Sequence, residues 1–302
     1  MISLLTGIVL LIFISLVFAL FTYDRVRVNS DLGSRVGDYP LNNSEASIIR
    51  AHIELHNRGR TVGGIIALII GIIASIRWSG SLTLVFGFGV PMPENLLVWW
   101  LTGVVIGTLF AQVDCLPPRS SAPIRRAVLD ARASRPLPGL TRAAFIITAF
   151  TVIVGTPPLV IWGNASGIPG VILAVGVLAI VELTQSIITT RPRPTTASAQ
   201  RVDQHLRWFA GTSLAWLELA GACLAFTTAI NAWYTHLHSG FTPPQGVWLA
   251  AFFIMEILSW GFGICSIIAI VRSHARPLKN PEPETSEPIL AESTHEPFRA
   301  DS

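Results

Sequence analysis

Apolar positions in this chain come in long unbroken blocks, not in the short periods of half-buried helices or strands. The blocks span about 2 to 23, 61 to 77, 95 to 113, 143 to 162, 168 to 188, 210 to 234 and 246 to 271. Each is long enough, or nearly so, to cross a hydrocarbon layer that takes roughly 20 residues of helix. The pattern predicts an all-α, polytopic membrane bundle of seven transmembrane helices occupying residues 1–271. The second block, TVGGIIALIIGIIASIRW, is short and is followed by the Gly-rich piece SLTLVFGFGVP. About nine apolar residues at 82–90 cannot cross, so that piece is expected to be re-entrant or interfacial.

The first block has no basic residue before its apolar core, and Arg25 and Arg27 follow it. That order suits an uncleaved helix that enters with its N-terminus outside, and not a signal peptide. Seven crossings then place 24–60, 114–142, 189–209 and the tail from 272 in the cytoplasm, with the C-terminus. Twenty of the 21 Lys and Arg fall in those segments and only Arg77 falls outside. Cytoplasmic loops carry the basic excess, so this asymmetry supports the orientation.

Composition agrees with the pattern: 51% of residues are hydrophobic and 13% charged, with a mean hydropathy of +0.57. The basic pI of 9.1 follows from arginines flanking the spans, which meet lipid headgroups, and no segment interleaves basic and aromatic residues as a nucleic-acid reader would. Cys115, Cys223 and Cys265 lack a CxxC spacing and read as small buried side chains.

Each cytoplasmic loop contains a short amphipathic pattern: SEASIIRAHIELHNRGR, SAPIRRAVLDAR and ASAQRVDQHLRWF. These are expected as interfacial helices that anchor the bundle, or as docking segments for a cytoplasmic partner. The chain then reads as a leading helix and three units of amphipathic segment plus hairpin, with starts about 75 residues apart, an arrangement that suggests duplication. Residues 272–302, rich in Pro and Glu, are expected to form a disordered cytoplasmic tail. Gly103 and Gly107 in GVVIG let another backbone come close, and the TPP at 156–158 should bend its span.

The runs RRAVLDARASRPLPGL and RVDQHLRWFAGTSLAW resemble inter-helix loops of uncharacterised multi-pass membrane proteins of actinobacteria. The resemblance implies an inner-membrane location and transfers no activity.

No zinc pair, Walker loop, serine elbow or dinucleotide fingerprint is present, so neither an enzyme nor a cofactor is expected. The predicted spans hold no histidine to ligate a haem, and the seventh holds no lysine for a Schiff base. His236 and His238, with Glu94 as a third candidate, make a weak metal site whose ligand count falls short.

What remains is one carboxylate in each of the last three spans: Glu182, Glu218 and Glu256. Counted from the cytoplasmic ends, they lie roughly 9, 12 and 22 Å deep. A carboxylate in hydrocarbon must be protonated, paired or wetted by a cavity, and the spans offer no Lys or Arg. Gln185, Ser213, Thr227 and Ser259 are the polar neighbours within reach.

Two expectations follow. The three acids line a route for protons or a cation in a small-solute transporter or permease subunit. Alternatively, each acid is a neutral hydrogen-bonding group worth ~0.6 kcal/mol at a helix contact, and the chain is a non-transporting sensor, scaffold or partner-binding subunit, or a homo-oligomer, in the lipid bilayer.

Overall fold

The computed structural model describes residues 43–79, 95–114, 137–162, 168–190, 197–240 and 247–273. The leading block, the 82–90 segment, the 121–132 amphipathic pattern, Glu94, Cys115 and the tail lie outside the described residues. Six helices make up the described chain: α1 Asn43–Ser79, α2 Leu96–Asp114, α3 Pro138–Trp162, α4 Ile168–Thr190, α5 Ala197–Gly240 and α6 Val247–Arg272. Five of them contain stretches long and apolar enough to cross a membrane: Glu54–Arg77, Pro138–Pro157, Ile168–Thr189, Phe209–Tyr234 and Leu249–Arg272. The apolar stretch of α2, Leu96–Gln112, is shorter.

Two of the amphipathic patterns are not separate elements. Residues 43–60 run straight into α1 and 197–209 into α5, with no proline to stop either helix. At 37 and 44 residues, these helices extend about 55 and 66 Å, well beyond the ~30 Å of a hydrocarbon core. Proline instead opens helices here. Pro138 and Pro169 stand in the first turns of α3 and α4, where the missing N–H is no loss. Asn95 starts α2, its Oδ1 accepting the Val98 N–H at 3.2 Å, as an N-cap should.

The helices turn their large apolar side chains outward. On α1, Ile65, Ile66, Ile69, Ile70, Ile73 and Ile76 are exposed, while Gly64, Ala67, Gly71 and Ser75 are buried. On α6 the buried positions include Ser259, Gly263, Ser266 and Ala269. A water-soluble bundle would do the reverse; here lipid is the apolar solvent and small residues let the helices pack. α5 is the centre: 83% of its span is buried, against 22–28% for the other four.

Close approach is tightest between α1 and α2. A Cβ on Gly59 would stand 2.6 Å from the Ala111 Cβ and 2.7 Å from the Gly107 carbonyl oxygen, and one on Gly63 would stand 2.7 Å from the Gly107 Cα. The Gly103–Gly107 pair in α2 therefore meets an antiparallel stripe of Gly59, Gly63 and Ala67 in α1, and one turn further on Gly71 lies against the Trp99 ring.

Helix α3 continues through the TPP to Trp162. Pro158 has no N–H for the carbonyl of Val154, and the indole Nε1–H of Trp233 on α5 donates to that oxygen at 2.7 Å. Trp233→Phe should therefore lower stability by about 1–3 kcal/mol, the penalty of a buried carbonyl left bare. Adding Pro158→Ala returns a backbone N–H and should recover most of the loss. Thermal unfolding in detergent measures both; an unrescued double variant would assign the loss to packing.

Candidate functional site

Buried polar groups must be accounted for one by one in such a bundle. Most threonines return their hydroxyl to a carbonyl four residues back: Thr108 to Val104 at 2.6 Å, Thr151 to Ile147 at 2.8 Å, Thr184 to Ile180 at 2.7 Å and Thr228 to Leu224 at 2.8 Å. These are structural. Thr227 bonds the carbonyls of Cys223 at 3.0 Å and Ser259 at 3.3 Å, and Ser259 donates to Asn231 Oδ1 at 3.1 Å. Together they fasten α5 to α6.

Glu182 and Glu218 are different, because one recess brings them together. Its walls are Leu137 and Thr141 at the start of α3, Val181, Glu182 and Gln185 on α4, and Gly211, Leu214, Ala215 and Glu218 on α5. Within each helix these residues recur at three- and four-residue spacing, which is one stripe of its surface. Gly211 and Ala215 supply the space. Glu218 is 3% exposed, whereas Glu182 is exposed at the mouth. The recess has about 20 Å³ open to water, room for roughly one molecule. It suits a water, a proton or a small ion, and excludes an organic solute in this conformation.

The recess lies toward the C-terminal end of α4. Arg207 NH1 donates to the carbonyl of Ile188 at 2.7 Å, closing the last turn of α4 with a cation where the helix dipole favours one. Glu182 is six residues, or about 9 Å, further in along α4.

Glu256 does not join the other two acids. It is exposed on α6 between Leu249, Phe253 and Trp260, and it makes no hydrogen bond or ion pair with another described residue. The contacts of Thr227 and Ser259 fix the rotation of α6 and leave Glu256 at the rim of its outer face. Ser213 is buried on α5 with its Oγ lacking a described partner. Cys223 is buried but Cys265 is exposed, which corrects the expectation for the latter.

His236 and His238 stand on the last turns of α5, which runs to Gly240 as helix instead of loop. Among the described residues, no three His, Cys, Asp or Glu side chains gather as metal ligands would.

A buried histidine does exist. His56 lies in the candidate span Glu54–Arg77, assigned from sequence to a loop. Its Nε2 is 2.5 Å from Gln112 Nε2 on α2, and its ring meets Phe209 on α5 edge-on at 6.0 Å. An amide nitrogen can only donate, so the ring nitrogen accepts. The group ties the α1–α2 hairpin to α5. The signal for it was the four-residue period of Gly59, Gly63, Ala67 and Gly71, which brings the helix to within one turn of His56.

Compared with family models, with curated proteins and with solved structures, the chain matches none.

Proposed function

We propose that the chain is a seven-span protein of the plasma membrane, N-terminus outside, whose Glu218 carries protons or a small cation as part of a small-solute transporter or permease subunit. The observation that carries this is the shared recess. A nearly inaccessible carboxyl, Glu218, faces the same water-sized space as Glu182 and Gln185, which stand at its mouth. Ionisable groups inside membranes are expensive and mark ion and proton paths. The basic asymmetry of the loops sets the orientation, and the leading block with α1 to α6 makes seven crossings.

Glu218 is the carrier proper, Glu182 the group that exchanges with water, and Gln185 a hydrogen-bonding relay. Proteoliposomes loaded with a pH-sensitive dye and given a membrane potential test this directly. The wild-type chain should collapse the potential-driven pH difference faster than empty vesicles. Glu182→Gln should slow it by about tenfold, whereas Glu256→Gln, remote from the recess, should leave it unchanged. Wild-type flux equal to that of empty vesicles would remove the transport assignment.

A partner-binding role is favoured by a separate observation, the helical extensions of α1 and α5 beyond their spans. Its signature is a cytoplasmic protein retained by the full chain and lost when Arg125 and Arg126 are neutralised or the tail from 272 is removed, with flux absent throughout.

A further inference from the structure

We infer that Thr141 is a positioning residue of the recess: its hydroxyl donates to the Glu218 carboxylate and sets the pH at which that group gives up its proton. The inference rests on the proton-carrier reading of Glu218 and adds the one polar side chain that α3 contributes to the recess walls. Other helical threonines return the hydroxyl to the carbonyl four residues back, as Thr108, Thr151, Thr184 and Thr228 do. For Thr141 that carbonyl is Leu137, which already accepts the N–H of Leu140 at 3.1 Å and the N–H of Thr141 at 3.3 Å. Both lone pairs of the oxygen are then engaged, and the Thr141 hydroxyl makes no hydrogen bond to another described residue. It stays on the half-buried wall of a water-sized space.

Two contacts between α3 and α5 fix its height. Leu137 and Thr141 share the recess with Gly211, Leu214, Ala215 and Glu218, and further along Val154 meets Trp233, so the two helices run in the same direction. Thirteen residues back from Val154 and from Trp233 stand Thr141 and Ala220, and helices of equal rise hold those two positions level. Glu218 is two residues from Ala220, about 3 Å along the axis. Glu182, at the mouth, takes donors from water, whereas a buried Glu218 carboxylate needs them from the protein. A hydroxyl can turn to accept from the neutral acid, but its bond to the ion is the stronger, so it favours release. The first turn of α3 adds the positive end of its dipole on the same side. Glu182 on α4 and Glu218 on α5 are the titratable groups of the recess walls, and α3 brings none. Of the described cations that adjoin these stretches, Arg142 is exposed on α3 and Arg207 is engaged with the Ile188 carbonyl.

The reconstituted chain offers two readouts: the infrared band of the protonated carboxyl titrated against pH, with Glu218→Gln identifying its component, and proton flux over the same range. Thr141→Val keeps the shape and removes the donor, so the carboxyl should ionise only at higher pH. The midpoints of the Glu218 band and of the flux profile should both rise by about one pH unit. Thr141→Ser, which keeps a hydroxyl, should hold both at the wild-type pH, and thermal unfolding should move little in either variant. A band midpoint unmoved in Thr141→Val, or moved equally in Thr141→Ser, overturns the assignment and leaves transport by Glu218 in place. The expected band shift in a chain whose wild-type flux equals that of empty vesicles removes transport and supports the bond from Thr141 to Glu218.

Discussion

Gly63→Ala should cost more than about 2 kcal/mol, and Gly63→Leu should prevent the α1–α2 hairpin from forming. A Cβ at Gly63 would collide with the Gly103 carbonyl oxygen and stand 2.7 Å from the Gly107 Cα. Both are backbone atoms, which cannot swing aside as a side-chain tip does. The helices must separate, and separation loosens every small-residue contact from Gly59 to Ala67 at once. Overpacking usually costs 1–3 kcal/mol, and without a hydrophobic drive between helices in lipid little else holds this pair together. Gly176 gives the opposite sign. A Cβ there meets nothing within 4 Å, so Gly176→Ala should stabilise by up to about 1 kcal/mol through helix propensity alone. Denaturant titration in detergent reads both; equal effects at the two sites would refute the close-packing account.

The long apolar blocks told where five helices run. The third to seventh blocks, beginning at 95, 143, 168, 210 and 246, correspond to α2, α3, α4, the span of α5 and α6, with their C-terminal ends within a few residues. Hydropathy succeeds there because lipid selects on composition and asks little of pattern. It fails at the start of α1, where Glu54, His56, Arg58 and Arg60 look like loop. Burial of His56 depends on Gln112, which lies 56 residues away, and no local window contains that fact. The acids show the same limit. Position along a helix gives height in the membrane, so Glu182 and Glu218 could be expected at similar depth. Rotation about the axis is set by packing: Gly211 and Ala215 open the recess beside Glu218, and the Thr227 contact with Ser259 holds Glu256 away from it.

Glu218→Gln should reduce proton flux by about a hundredfold, in the range that a positioned proton-transfer group contributes, without loss of stability. The amide has nearly the volume of the acid and can still give and accept hydrogen bonds across the α4–α5 contact, but it cannot release a proton. Glu218→Leu sharpens the point. Removing one member of a buried polar contact costs about 1–3 kcal/mol, so the leucine variant should unfold earlier than the glutamine variant and carry no more protons. A purely structural acid behaves otherwise. If Glu218 served only to join α4 to α5, flux would follow stability: preserved in the glutamine variant, and reduced in the leucine variant only as far as the fold itself is weakened. Measuring unfolding and flux on the same three preparations separates the two, and a glutamine variant with wild-type flux would exclude Glu218 as the carrier.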